Sequence, residues 1–440
     1  MTDINETSSE GRPTIADAPA SADDRRQVPL VFAEPKDRAP DESQSNPLGL
    51  LLIVGLFALL WFWAGPRPFW VVVGLVTMIF LHEAGHFVTA RWTGMKATQF
   101  FLFMGPRIWS FQRGETEYGV RSLPLGAFVR IIGMHNLDPV DDPADEPRAY
   151  KNKSYPKRML VITAGSMMHF IQALLLFTVI TTAIGLDDPE KWTIGEVSAL
   201  ETGETPAVVA GLVPGDTITA VDDVSAVNWV DLRNYVRENP GQEVDLTIVR
   251  GEDTFVQATT LASLTDENTG DQFGFLGISP TFGHTRESPL LAAEMFGDLF
   301  WQSLTAIPQF LSPSTFFELG QLVGQGSAQV DINSDEAQGR PISLVGAVRI
   351  AGEPDADISQ PLFLLAAINI FVGILNLVPL LPLDGGHAAI ATYERIRSRK
   401  GEEPYRADVA KLLPLTYGVV AVFAFLFLST IYLDIVRPIG

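Results

Sequence analysis

Two histidines and a glutamate stand inside a long apolar run of the sequence. His82 and His86 are four residues apart in FLHEAGHF, and Glu83 follows the first of them. Residues four apart share one face of a helix, so both imidazoles can hold one metal ion with the glutamate close to it. The H-E-x-x-H order is typical of zinc hydrolases, whose glutamate takes a proton from a water that the metal activates. The spacing predicts a catalytic zinc site with His82 and His86 as ligands and Glu83 as general base.

A third protein ligand must come from elsewhere, because catalytic zinc sites usually have three. Asp384 is the best candidate, in the segment NLVPLLPLDGGH (376–387). Prolines and glycines interrupt a helix there and free the backbone to turn near the site. The alternative is that Asp384 is only a turn residue at the membrane interface. Asn376 is a candidate for contacting a substrate backbone or holding the helix break, and His387 is a weaker candidate with no assigned role.

The composition is that of a membrane protein with polar segments attached. The 440 residues carry a formal net charge of -21, yet their mean hydropathy is positive. The acidity and the lack of a basic stripe argue against a nucleic-acid partner. Because the chain has no cysteine, disulfides, thiolate ligands and a cysteine nucleophile are excluded. Residues 1–46 are predicted to be a disordered, acidic cytoplasmic tail and not a cleaved signal peptide.

Five hydrophobic segments are predicted to be transmembrane helices. Lys and Arg are concentrated in the loops 91–158 and 388–411, whereas 186–290 is acidic, so the two basic loops should be cytoplasmic. This topology places the N-terminus inside and brings HEAGH and LDGGH to the same depth. The predicted spans are 47–65, 69–92 (with HEAGH), 159–186, 362–387 (with LDGGH) and 412–433.

Three other segments have their own patterns. Residues 94–134 contain short aromatic and β-branched runs between Gly/Pro breaks, which predicts short β-hairpins that dip into the membrane as a membrane-associated loop. Residues 193–262 predict a small extracytoplasmic α/β domain, in which AGLVPGDTITAVDD resembles the core turn of PDZ domains. Residues 288–358 are interpreted as an amphipathic and loop region along the membrane surface.

HEAGH in an apolar helix, paired with a distant LPLDGGH, resembles the site-2 protease family of intramembrane metalloproteases. Residues 94–134 and 343–352 are similar to segments of its bacterial, PDZ-containing members, most of all the actinobacterial branch. The resemblance implies a polytopic α-helical membrane protein with a four-helix core, to which 47–65 adds one N-terminal span. It also implies Zn²⁺ held by His82, His86 and Asp384, with Glu83 as general acid/base.

One position departs from the family pattern. The family carries a G-P-x-x-N-like motif early in its second core helix, where the asparagine is linked to substrate handling. This chain has GSMMH at 165–169, so His169 replaces the asparagine. His169 either provides a hydrogen bond or adds a ligand near the metal, and our hypothesis is the hydrogen bond.

The sequence therefore predicts a zinc-dependent intramembrane endopeptidase, a multi-pass protein of the bacterial plasma membrane. By resemblance, its partner is a single-span membrane protein, often an anti-sigma factor already trimmed by another protease. One alternative is a metal transporter or sensor, although such a protein needs a polar path and the other spans offer few acids or histidines. A second is a catalytically inactive adaptor acting through the PDZ-like domain, which the presence of Glu83 disfavours.

Overall fold

The fold is described from a computed structural model, which covers residues 47–135, 138, 140–198, 204–265, 270–327, 330, 340–351, 357–399, 401 and 403–439. The predicted tail 1–46 lies outside these residues. Within the described ranges, four helical segments are long and apolar enough to cross a membrane, namely Pro66–Trp92, Tyr155–Ile184, Ser359–Asn376 and Val409–Val436. Helix α1 (Pro47–Ala64) is also apolar but shorter. That α1 forms an extra span stays a prediction.

Two of the spanning helices bury polar and small residues on the faces that they turn toward each other. Helix α2 (Pro66–Trp92) buries a residue every three or four positions, and this buried stripe includes His82, Gly85 and His86. Helix α3 (Tyr155–Val179), extended by a π-helical turn to Ile184, buries Gly165 and His169 on its facing side. The stripes of α2 and α3 pack on each other, so the titratable groups lie inside the bundle and not against lipid.

A single long β-hairpin follows α2. Strands β1 (Ala97–Arg113) and β2 (Thr116–Ile131) replace the several short hairpins that the sequence indicated. The Gly/Pro breaks bend the strands without ending them, because the register shifts there and pairing continues. The hairpin folds back on itself, so Phe100 is paired with both Val129 and Tyr118.

A globular module follows α3 and is larger than the predicted 193–262. Its terminal strands β3 (Leu186–Val197) and β10 (Ile278–Thr285) pair at both ends, with bulges in β3 between the paired stretches. Its apolar core runs from Trp192 to Leu276, because residues on both sides of the predicted limits are needed to close it. A sheet of order β5-β4-β6-β7 lies between. That this module is a PDZ domain stays a prediction. The inner elements are α4 (Pro206–Val209), β4 (Thr217–Val221), β5 (Val224–Ser225), α5 (Trp229–Glu238), β6 (Glu243–Arg250), β7 (Asp253–Thr260), β8 (Ala262–Thr265) and β9 (Gln272–Phe275).

The segment 288–358 contains three described helices, α6 (Pro289–Phe310), α7 (Pro313–Val323) and α8 (Leu344–Ala351). Helix α6 packs on the bundle, where the rings of Phe296 and Phe300 contact the ring of Phe170 in α3. One face of this amphipathic region is therefore covered by protein.

The predicted span 362–387 is wrong as one helix. Helix α9 (Ser359–Asn376) ends before the two prolines, which lack the amide proton that a helix needs, and α10 (Asp384–Arg397) begins after them. Part of the predicted loop 388–411 is therefore helical. Helix α11 (Leu413–Val436) is the last of the described helices. Short 3-10 turns lie at Pro143–Arg148, Tyr150–Asn152 and Val409–Leu412.

Candidate metal centre

Three side chains predicted to hold metal come together in the bundle. His82 Nε2 lies 3.2 Å from His86 Nε2 and 3.5 Å from Asp384 Oδ2, and His86 Nε2 lies 3.2 Å from Asp384 Oδ2. Tetrahedral zinc with bonds of about 2.0–2.2 Å needs ligand atoms roughly 3.3–3.5 Å apart. The triangle therefore has the size that one zinc ion requires.

The polar atoms of this triangle lack other partners. Among the described residues, Asp384 Oδ2 is buried and has no hydrogen-bond donor besides the two histidine nitrogens that face it. Buried acceptors that face one another without donors are unfavourable, and a cation between them removes that cost. The donor set of two imidazoles and one carboxylate suits zinc and has no soft thiolate.

His86 is oriented by the helix that faces it. Its Nδ1 lies 2.7 Å from the carbonyl oxygen of Val161 in α3. If Nδ1 carries the proton and donates to that carbonyl, Nε2 keeps its lone pair for the metal. The contact thus selects the ring orientation and the tautomer that a ligand needs.

Two glycines let α2 and α3 approach closely enough for this geometry. A Cβ on Gly165 would lie 2.4 Å from His86 Nε2 and 2.5 Å from His82 Cε1. A Cβ on Gly85, the glycine of HEAGH, would lie 2.8 Å from the carbonyl oxygen of Ala164. Neither position has room for a side chain, so Gly165 completes the wall of the centre.

Asp384 is placed by the break between α9 and α10. It is the first residue of α10, at the helix end where the macrodipole is positive and favours a carboxylate. The chain turns tightly behind it, since a Cβ on Gly385 would lie 2.2 Å from the Val378 carbonyl oxygen and one on Gly386 would lie 2.6 Å from the Leu381 nitrogen. The LDGGH glycines thus allow the turn that brings Asp384 to the histidines.

Glu83 lies outside the triangle and beside the hairpin. Its half-buried side chain is next to the backbone of Val129 in β2. Residues 127–131 pair with β1 along one edge. Within the described part of the chain, their other edge has no strand partner. An unpaired strand edge and a carboxylate therefore lie next to each other.

His169 is buried close to the triangle but is not part of it. Its ring centroid lies 4.8 Å from that of His82, and its Nδ1 lies 3.0 Å from Oδ1 of Asn369 in α9. Asn369 also donates from Nδ2 to the Leu365 carbonyl oxygen, which orients the amide. The sequence reasoning missed Asn369, although an asparagine in an apolar helix is a signal for a buried polar contact.

The other two candidates are not brought to the triangle. Asn376 is the last residue of α9, and its part-buried side chain makes no hydrogen bond to the residues described. His387 lies one turn after Asp384 and lines a separate cavity.

A second group of possible ligands lies where the globular module meets α9. His284 Nδ1 is 3.3 Å from Asp187, and its Nε2 is 3.2 Å from Asp357. Each nitrogen faces a different carboxylate, as in an imidazole that forms two ion pairs. The donor atoms therefore do not converge on one point, as those of the buried triangle do.

The sequence matches the model of Peptidase family M50 over residues 70–420. The chain belongs to peptidase family M50. It is 34% identical to the zinc metalloprotease Rip1 of Mycolicibacterium smegmatis over 407 residues, covering 84% of this chain and 97% of that protein. It is 32% identical to the zinc metalloprotease Rip1 of Mycobacterium tuberculosis over 406 residues, covering 83% and 96%.

The membership confirms the predicted site-2 protease resemblance and its actinobacterial character. This M50 peptidase is a multi-pass, membrane-embedded zinc metalloprotease, and Zn²⁺ is its cofactor. The alternatives of a metal transporter or sensor and of a catalytically inactive adaptor are therefore disfavoured.

Proposed function

We propose that this M50 peptidase hydrolyses a peptide bond within or near the transmembrane helix of a single-span membrane protein. His82, His86 and Asp384 are the proposed zinc ligands and Glu83 the proposed general acid/base. The observation that carries the proposal is the triangle of donor atoms, 3.2–3.5 Å apart, inside a bundle of spanning helices. A metal-dependent hydrolytic site at that place acts on bonds that the membrane surrounds.

Each residue has a distinct part in this mechanism. Bound zinc supplies Lewis acidity, which lowers the pKa of water and polarises a carbonyl group. Glu83 accepts a proton from the attacking water and returns it to the leaving amide nitrogen. The Val161 carbonyl keeps the His86 ring in place, and the turn of Gly385 and Gly386 keeps Asp384 in place.

The hairpin provides a surface for an unwound substrate. A helix hides its peptide bonds because each carbonyl is already hydrogen-bonded within the helix. The free edge of residues 127–131 offers new backbone partners next to Glu83, so an extended substrate can pair there. A hairpin that merely covers the metal is the alternative, and it predicts no effect of edge mutations on substrate affinity.

The globular module is proposed to lie outside the cell, with the N-terminus in the cytoplasm. The basic loops 91–158 and 388–411 and the acidic segment 186–290 support this orientation. A module of this size next to the membrane can exclude a substrate with a bulky ectodomain. It can instead bind a free C-terminus, if it is a PDZ domain. An anti-sigma factor already trimmed by another protease is the proposed type of substrate.

The substrate class can be tested in liposomes. The full chain is reconstituted with a single-span anti-sigma factor, either intact or with its ectodomain removed, and the products are identified by mass spectrometry. The proposal expects a cut within or near the membrane segment of the trimmed form. Cleavage of a water-soluble protein, with no cut in any membrane substrate, would contradict it.

A further inference from the structure

A cavity of about 210 Å³ lies beside the metal centre. It is enclosed by the end of the hairpin, the turn at Tyr150–Asn152, the first turns of α3, one face of α10 and the segment after α10. None of the three proposed zinc ligands lines it. The lining residues are Met134, His135, Tyr150, Lys151, Arg158, His387, Ile390, Glu394, Arg406, Ala407 and Val409.

The wall of this cavity carries more positive than negative charge. Lys151, Arg158 and Arg406 are permanent cations, whereas Glu394 is its one carboxylate. Arg158 Nη2 donates to Glu394 Oε2 at 2.7 Å, and the Ala407 amide donates to Oε1 at 2.9 Å. Arg406 Nη1 lies 3.6 Å from the same carboxylate, and Lys151 pairs with Glu146, which lies outside the lining. One engaged carboxylate leaves the cavity with an excess of positive charge.

Buried hydrogen-bond donors of the wall also lack acceptors. Tyr150 is 2% exposed and Arg158 is 7% exposed. The Tyr150 hydroxyl faces the Arg158 guanidinium, which is itself a donor, and among the residues described it has no acceptor for its own proton. The guanidinium of Arg158 lies over the Tyr150 ring, 4.8 Å from its centroid, so the two groups occupy the same side of the cavity. Buried donors of this kind are rare unless a ligand or water supplies the acceptor.

We propose that this cavity binds a phosphate group, with Arg158, Arg406, Lys151 and Tyr150 as donors. Phosphate brings both the negative charge and the acceptor oxygens that the wall lacks, and guanidinium groups match its geometry. The source is either a phospholipid headgroup or free phosphate. Helix α3 enters the bundle at Tyr155, next to the cavity, and basic pockets between spanning helices bind lipid headgroups.

A phosphate in this position stabilises the two helix turns that position proposed zinc ligands. Arg158 precedes by one turn Val161, whose carbonyl oxygen contacts His86. His387 follows Asp384 by one turn in α10. The cavity therefore lies between α3, which orients the proposed ligand His86, and α10, which carries the proposed ligand Asp384.

The experiment uses the full chain and two matched pairs of variants. Tyr150→Phe removes only the hydroxyl that faces the cavity wall, and its control Tyr155→Phe removes a hydroxyl that lies 3.2 Å from Thr392 Oγ1 outside the cavity. Arg406→Ala removes a cation of the wall, and its control Arg148→Ala removes a similarly exposed cation that pairs with Glu115. Far-UV circular dichroism shows that each variant is folded.

Two arms separate the sources of phosphate. In the first, protein from vesicles of equal parts phosphatidylglycerol and phosphatidylcholine is examined by native mass spectrometry for retained phosphatidylglycerol. In the second, inorganic phosphate is titrated into protein in phosphatidylcholine nanodiscs, with chloride as the salt control, while the midpoint of thermal unfolding is followed.

We expect Arg406→Ala to weaken binding at least about tenfold and Tyr150→Phe about threefold, with both controls unchanged. This pattern in the first arm assigns the site to a lipid headgroup, and in the second arm to free phosphate. Absence of retained lipid and of a saturable phosphate effect in the native chain overturns the proposal. Equal loss in Arg148→Ala also overturns it, because binding is then general surface attraction.

Discussion

His86 Nε2 and Asp384 Oδ2 lie 3.2 Å apart, although one residue belongs to α2 and the other begins α10. If zinc joins them, Asp384→Asn should lower zinc affinity by more than about 100-fold, since changes at partners behind the ligands already cost 10–100-fold. Metal analysis of purified protein after dialysis against a weak chelator measures this. Asp141→Asn, an exposed carboxylate, is the control. Full zinc content in Asp384→Asn would remove Asp384 from the ligand set.

Gly165→Ala should damage the centre although every proposed ligand residue is kept. The added Cβ would meet His86 Nε2 at 2.4 Å and push the ring away from its position. We expect zinc affinity to fall about tenfold or more and cleavage to fall with it. Gly418→Ala in α11 is the matched control, because a Cβ there meets no atom within 4 Å. Equal zinc binding by the two variants would show that α2 and α3 are not fixed as described.

His169→Asn should keep its zinc. His169 makes its hydrogen bond to Asn369 and lies outside the triangle of donor atoms. We expect unchanged zinc content, while the Michaelis constant for a membrane substrate changes about threefold or more because a polar contact near the substrate is altered. Loss of the metal from His169→Asn would identify His169 as a ligand and contradict the hydrogen-bond hypothesis.

The globular module between α3 and α6 should become less stable in acid through Asp216. Arg250 donates two hydrogen bonds to this carboxylate, at 2.7 and 2.8 Å, and holds the pKa of Asp216 below its usual range. Because the unfolded chain binds the proton more readily, this stabilisation is full above about pH 4 and is lost as pH falls through the lowered pKa.

Asp216→Asn tests that pH dependence in the full chain. Urea unfolding of the module, followed by the fluorescence of buried Trp192, should show a lower midpoint for the variant at pH 7. The difference from the native chain should shrink as the pH falls below 4. Asp253→Asn, at the exposed first residue of β7, should behave like the native chain both at pH 7 and below pH 4. A difference that stays constant with pH would mean that the ion pair does not stabilise the module.

That HEAGH and LDGGH lie close together could be predicted from the sequence. Apolar length and the distribution of Lys and Arg set the depth of both motifs, and the i, i+4 spacing puts His82 and His86 on one face. In the structure, donor atoms of His82, His86 and Asp384 lie close enough together to hold one metal ion, as that expectation requires.

Other features depend on contacts between distant segments and were missed. The extent of the globular module follows from the pairing of β3 with β10, which neither segment reveals alone. The need for glycine at 165 follows from how closely α3 approaches two histidines of α2. Asn369 gains its partner only because His169 faces it from α3. The prolines indicated the break between α9 and α10. They did not indicate that a new helix begins at Asp384.

The most direct test of the account is cleavage of an ectodomain-trimmed, single-span substrate in liposomes by the native chain and by Glu83→Gln. Glu318→Gln, an exposed carboxylate of α7, is the control. Zinc content is measured on the same samples. We predict that Glu83→Gln keeps its zinc and loses cleavage by about 10²–10⁴-fold, the usual contribution of a general base. Cleavage by Glu83→Gln at the native rate, with zinc bound, would contradict it.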